Sequence, residues 1–210
     1  PTRLKPAAGA PQPRLDEGTT YRDEIDQSAS DVPVEIYALR GKDTITGSGY
    51  GDTSDGGPGN DSITAGDGDD VVVVTGADGG IDIVDGGPGI DRILGGSGDD
   101  SIGFNRVFGG TRSVEIIDGG AGFNQILGTK YVDDLDFSST TLVNVSIISG
   151  LAGNDSLTGS GGPDTIEGGP DNDSIYGLAG DDTFLVNGLN ADFDLVRGGD
   201  GQDRILGSSG

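Results

Sequence analysis

The chain of 210 residues contains no cysteine, histidine, methionine or tryptophan. Without Cys and His, disulfides, thiolate chemistry, imidazole catalysis and the ligands that zinc and copper prefer are excluded. Basic residues are scarce: 12 Lys and Arg stand against 36 Asp and Glu, for a formal net charge of −24. Such a surface repels phosphate, which argues against a nucleic-acid partner and against an anionic membrane surface. No apolar run is long enough to insert across a bilayer; the longest aliphatic one, Val71-Val72-Val73-Val74, has the length of a strand. Leu, Ile, Val and Phe together number only 51. That is close to the composition at which burial no longer offsets chain entropy, and the 42 glycines deepen the deficit. Something besides a large core must hold this chain together.

What the chain has is aspartate in register. Of the 36 acidic residues 31 are Asp, the short carboxylate suited to turns, and residues 43–210 carry −23 of the net charge. Gly56-Gly57-Pro58-Gly59-Asn60-Asp61-Ser62-Ile63-Thr64 is one copy of a nine-residue unit. Gly86-Gly87-Pro88-Gly89-Ile90-Asp91-Arg92-Ile93-Leu94 and Gly198-Gly199-Asp200-Gly201-Gln202-Asp203-Arg204-Ile205-Leu206 are two more. Each unit divides into a six-residue Gly-rich turn and a three-residue strand whose middle residue points inward. The inward set is Ile45, Ile63, Val72, Val84, Ile93, Ile102, Leu135, Leu157, Ile166, Ile175, Phe184, Val196 and Ile205, with Ser54 as its weak member.

These copies organise the chain. Residues 1–33, with Pro6, Pro11 and Pro13, read as a Pro/Ala-rich linker, partly disordered but with some order near Tyr21 and Ile25. Residues 34–46 read as an N-terminal cap and first repeat, opening on the alternating stretch Val34 to Leu39. A first repeat block spans 47–103, degenerate and interrupted repeats 104–149, and a second block 150–210. Two insertions, Val74-Thr75-Gly76 and Val186-Asn187-Gly188, fall in matching contexts, and Val114-Glu115-Ile116-Ile117 echoes Val145-Ser146-Ile147-Ile148. Self-similarity of this kind indicates an array built by duplication. In the centre, Asn124 stands where Asp is expected, and Asp133 marks a weak copy.

The unit resembles GGxGxDxUx, with U aliphatic, the repeat of the RTX or haemolysin-type calcium-binding family. The resemblance implies an all-β fold, a right-handed parallel β-roll (a calcium-binding β-solenoid) with irregular coils in the middle. Two nonapeptides make one coil, so Asp61 is expected over Asp43, Asp70 over Asp52, Asp100 over Asp82, Asp173 over Asp155 and Asp182 over Asp164. Carboxylates stacked at about 4.8 Å repel by roughly 1 kcal/mol in bulk water and several-fold more near a protein surface. Cations between the turns relieve that repulsion, and several Ca2+ ions suit hard oxygen ligands in an adaptable geometry. The expected metal ligands are Asp43, Asp52, Asp61, Asp70, Asp82, Asp91, Asp100, Asp155, Asp164, Asp173, Asp182, Asp194 and Asp203. The resemblance adds carbonyls from the first half of each turn.

No nucleophile stands beside a base, and each Asp pair recurs as a repeat, so the chain reads as a non-enzyme. Outward Thr44, Thr46, Thr64 and Thr158 do not form the flat array an ice-binding face needs, since Glu167, Asp85, Tyr176 and Arg92 share it. Arg92, Arg106, Arg112 and Arg204 read as neutralisation of an acidic surface rather than a polysaccharide site. The expected function is a calcium-triggered folding module of a secreted or cell-surface bacterial protein, monomeric. The alternatives are an adhesin or matrix module contacting glycans, or a non-catalytic module appended to a secreted enzyme. The start at Pro1 without a signal-like segment, and the end at Gly207-Ser208-Ser209-Gly210, lead us to expect a processed product or a fragment.

Overall fold

The computed structural model describes residues 12–74, 80–109, 114–186 and 193–207. Pro6, Pro11, Thr75, Gly76, Arg112, Asn187, Gly188 and Ser208-Ser209-Gly210, all singled out above, lie outside the described residues. Among the described residues there is no helix. The strands are short because each repeat leaves only three residues between Gly-rich turns. The first ten are β1 (Arg14–Glu17), β2 (Glu24–Asp26), β3 (Val34–Tyr37), β4 (Thr44–Thr46), β5 (Thr53–Asp55), β6 (Ser62–Thr64), β7 (Val71–Val73), β8 (Ile81–Asp85), β9 (Arg92–Leu94) and β10 (Ser101–Phe104). Through the centre run β11 (Val107–Phe108), β12 (Ile116–Asp118), β13 (Gln125–Leu127), β14 (Asp134–Asp136), β15 (Thr141–Val143) and β16 (Ile147–Ser149). The last are β17 (Ser156–Thr158), β18 (Thr165–Glu167), β19 (Ser174–Ala179), β20 (Thr183–Val186), β21 (Leu195–Asp200) and β22 (Arg204–Gly207).

All pairings are parallel, and the chain winds as a β-solenoid of about nine turns. Three sheets run along it. The first is β1-β3-β5-β7-β9-β12-β15. The second, unbroken from end to end, is β2-β4-β6-β8-β10-β13-β16-β18-β20-β22. The third is β11-β14-β17-β19-β21. Up to β10 the chain alternates between the first two sheets, giving a two-sided roll. From β9 to β17 it visits all three in turn, so three coils are three-sided. Beyond β17 it alternates between the second and third sheets. The central interruptions thus exchange one face of the roll for another while the second sheet continues.

Middle residues stack into aliphatic ladders inside. Ile36, Ser54, Val72, Ile93 and Ile117 align along the first sheet, and Ile102, Ile126, Ile148, Ile166 and Phe184 along the second. Each fully buried Ile or Leu contributes about 1.5–3 kcal/mol. The three-sided coils enclose a wider interior, and Phe104, Phe108 and Phe137 fill it, with ring centroids 4.2, 5.0 and 6.0 Å apart. Ser54 is inward and buried, and its hydroxyl has no partner.

Four expectations need amendment. Strands β1 and β2 lie within 1–33, where a linker with order only near Tyr21 and Ile25 was expected; they pair with β3 and β4, and Gln27 Nε2 closes that end by donating to Asp16 Oδ2 at 2.5 Å. Asp100 does not stack on Asp82. Gly103 aligns with Ile81 and Phe104 with Asp82, because the chain turns there into the first three-sided coil. The middle coils carry three strands each rather than two. Ile205, an expected core residue, is 62% exposed, and Val196 is only half-buried, because β22 and β21 are the last strands of their sheets.

Candidate metal centre

Each turn delivers its sixth-position Asp to the start of a strand, and the roll sets such residues one above another. The backbone N–H of one Asp donates to Oδ1 of the Asp one coil further on. Asp23, Asp43, Asp61 and Asp82 form one stack, linked at 2.7, 2.8 and 2.9 Å. A second begins at Asp52 and continues through Asp70 and Asp91, where Oε2 of Glu115 takes the next amide. A third runs from Asp100 to Asn124 to the hydroxyl of Ser146. A fourth links Asp133, Asp155, Asp173 and Asp194, and a fifth Asp164, Asp182 and Asp203. The links span 20 residues at Asp23, 18 in regular coils, 21 across the insertions, and 22 or 24 in the three-sided region. The stacking survives the insertions.

All thirteen expected ligands therefore lie in stacks, and all but Asp194 and Asp203 are buried. The sequence reading did not place Asp23, Asp133, Glu115, Asn124 and Ser146 among them. Asp23 and Asp133 carry a legible signal, an aliphatic two residues on: Ile25 and Leu135. Glu115 and Ser146 also have an aliphatic two residues on, Ile117 and Ile148, but neither is an Asp.

One oxygen of each carboxylate after the first in a stack is thereby engaged. The other, Oδ2, is buried without a hydrogen-bond donor at Asp43, Asp61, Asp70, Asp91, Asp155 and Asp182. A buried carboxylate oxygen without a partner is costly, and a cation is the group that compensates it. The glycines hold the surrounding space open. A Cβ on Gly56 would sit 2.5 Å from Asp61 Oδ2, and one on Gly150, Gly168 or Gly177 closer still to the Asp five residues ahead. Gly57, at φ +76°, lies so near the Leu39 carbonyl oxygen of the preceding coil that no side chain fits. Gly59 stands in the same relation to the Gly41 carbonyl. Each open turn thus combines carboxylate oxygen with backbone carbonyls aimed at the next turn, a hard, all-oxygen donor set of the kind calcium takes. Among the described residues no three acidic side chains converge on one point.

The electrostatics agree. Burial, reinforced by neighbouring carboxylates, pushes Asp61 up to about 6 and Asp70, Asp82 and Asp155 up to about 7, against the opposing effect of the amide bond each accepts. Asp91, Asp164 and Asp182 are raised for the same first reason. Asp118, outside the stacks, is instead lowered, chiefly by the Gly120 amide and then by Asn144 and Arg92. The cations serve the protein's own surface: Arg92 pairs with Asp118, Arg204 Nε donates to Thr183, and Arg106 lies 4.5 Å over the Tyr131 ring.

Comparison with curated proteins gives no match. The sequence profile of the RTX calcium-binding nonapeptide repeat matches four times, over residues 46–75, 76–106, 147–184 and 190–210, more than half of the chain. It leaves out 107–146, the central part of the three-sided coils. Parallel coils, stacked turn aspartates with unpartnered oxygens, and these four matches lead to one conclusion: the chain belongs to the RTX calcium-binding nonapeptide repeat family.

Proposed function

We propose that this calcium-binding structural module acquires its fold by binding calcium outside the cell, as a non-catalytic part of a secreted or cell-surface protein. The carrying observation is the series of buried, donor-free Oδ2 atoms beside turn carbonyls. Without ions these carboxylates are desolvated and repel one another. Bound calcium would supply charge neutralisation there, while the chain's own amides orient each carboxylate through Oδ1. Extracellular calcium modules bind with dissociation constants of about 0.1–1 mM. An ion at ~100 times its dissociation constant adds about 2.7 kcal/mol, so a few sites match the ~5–15 kcal/mol of an ordinary domain. Cytosolic calcium is too scarce for this. Circular dichroism in chelator and in millimolar calcium tests the proposal: a β-signature gained only with calcium supports it, and one unchanged by chelation refutes it.

A second reading, contact with an acidic glycan, has one observation in its favour. Arg106, Lys130 and Tyr131 line a cleft of about 380 Å³ with Asn60 and Asn105, a basic spot on an otherwise acidic surface. Binding to an acidic glycan in saturating calcium, lost in an Arg106→Ala/Lys130→Ala variant, would support it.

A further inference from the structure

The stacks differ at their first members in a way the family pattern does not contain. At Asp23, Asp52, Asp133 and Asp164, Oδ2 is not left without a donor. The amide of the residue four positions earlier donates to it: Thr19 at 2.6 Å, Ser48 at 2.5 Å, Thr129 at 2.6 Å and Ser160 at 2.6 Å. The same residue's hydroxyl also donates to the carboxylate, at 2.9–3.1 Å, and accepts the amide of the residue two positions on. Ser48, Thr129 and Ser160 are themselves buried. These four are the only sixth-position aspartates in the sequence with Ser or Thr four residues before them. Asp100, first of the remaining stack, is closed likewise by the Gly96 amide at 2.6 Å.

The later members are built differently. Four residues before Asp43, Asp61, Asp70, Asp91, Asp155 and Asp182 stand Leu39, Gly57, Gly66, Gly87, Leu151 and Leu178, all at φ between 72° and 119°. None of the closing residues has a positive φ. The left-handed step turns the amide away and leaves Oδ2 without a donor; without that step, amide and hydroxyl come onto the carboxylate. The first carboxylate of a stack has no earlier Asp turn with which to share an ion. A buried charge there needs donors from the protein.

We infer that Thr19, Ser48, Thr129 and Ser160 are caps that stand in for calcium at the first turn of each stack, so that Asp23, Asp52, Asp133 and Asp164 are held without metal. Ions begin at the second member, and each stack has a calcium-independent end from which ordering starts. Terminal units of a solenoid need such closure. Here two of the caps sit inside the chain: Thr129 where the third sheet begins, and Ser160 on the second sheet after Asn124 and Ser146 have broken the run of aspartates.

The inference rests on calcium binding by the later turns, and one experiment separates the two. Isothermal titration counts calcium ions on the full chain, and circular dichroism follows folding against calcium, for wild type, Ser48→Ala/Thr129→Val/Ser160→Ala, Asp164→Asn and Asp182→Asn. Expected are an unchanged ion count in the hydroxyl variant with a calcium midpoint raised on the order of twofold, as three lost hydrogen bonds shared among several ions imply. Asp164→Asn keeps the wild-type count, while Asp182→Asn loses an ion. A count that falls in the hydroxyl variant or in Asp164→Asn would make those residues ligands and overturn the inference. An unchanged count together with an unchanged midpoint overturns it too. Wild type binding no calcium refutes instead the proposed function.

Discussion

The amide of Asp155 donates to Oδ1 of Asp173 at 2.9 Å, one coil further along, while Asp155 accepts through its own Oδ1 the amide of Asp133. Asp155 is therefore held by one oxygen and open at the other. Asparagine keeps the first role and gives up the second, as Asn124 does when its Oδ1 accepts the Asp100 amide and its Nδ2 donates to the Asn144 carbonyl at 3.0 Å. Asp155→Asn is expected to act with opposite signs in two conditions. In chelator it removes a desolvated charge and raises stability by about 1 kcal/mol. In saturating calcium it lowers stability by roughly the 2–3 kcal/mol of a lost ion. Circular dichroism in chelator, where the variant should keep more β-signature than wild type, and thermal melts in calcium decide this; a variant with less β-signature in chelator and a lower melt in calcium would count against the open-oxygen account.

Acid replaces calcium in part. Asp70, Asp82 and Asp155 are raised to about 7 and Asp61 to about 6, from 3.8. A carboxyl whose folded value exceeds its unfolded one stabilises the fold while protonated. That contribution is complete below the unfolded value and lost as pH rises through the folded one. Calcium-free protein should gain β-structure as pH falls from about 7 toward about 4, and calcium should bind more weakly over the same interval. A pH titration of circular dichroism in chelator checks this, and a flat profile would refute it.

The three-sided coils depend on their aromatic filling. Phe137, fully buried, touches both Phe104 and Phe108. Phe137→Ala should cost about 3–5 kcal/mol, with hydrogen exchange quickening first in β11 to β16. Denaturant unfolding in calcium gives the magnitude.

Ser54 offers a gain. It lies between Ile36 and Val72 in the ladder, buried, with an unpartnered hydroxyl. Ser54→Val should stabilise the protein by about 1–2 kcal/mol, seen as a higher melting temperature in calcium.

Gly57 admits no side chain. Its φ of +76° disfavours any L-residue, and a Cβ would enter the Leu39 carbonyl. Gly57→Ala should cost more than about 2 kcal/mol and weaken calcium binding at the Asp61 turn. Calorimetry of the variant measures both.

Much of this was legible because a nonapeptide is its own structural unit. The spacing from Asp43 to Asp61 states which residues superpose, and Ile45 and Ile63 state which side faces in; both are local periodicities that survive in any coil of the roll. The centre was not legible in the same way. Asp82 and Asp100 are 18 residues apart, yet Phe104 takes the place beside Asp82. The register there depends on packing the three Phe rings, a contact among residues that no repeat relates. Nor does the spacing distinguish Asp52 from Asp70. One is closed by Ser48 and the other left open by the φ of Gly66; the sequence shows the Ser, but what it does shows only when amide directions are known.

The amino-acid sequence by itself determined the unit: turn, strand, inward aliphatic, sixth-position Asp, and hence parallel winding and an affinity for a hard cation. These follow from backbone sterics and side-chain chemistry within nine residues. Only the tertiary structure decided where the coil takes on a third side, which face is exchanged, and which carboxylates begin a stack. Those outcomes rest on contacts between residues 18 to 24 positions apart, whose geometry is set by the packing of whole coils on one another.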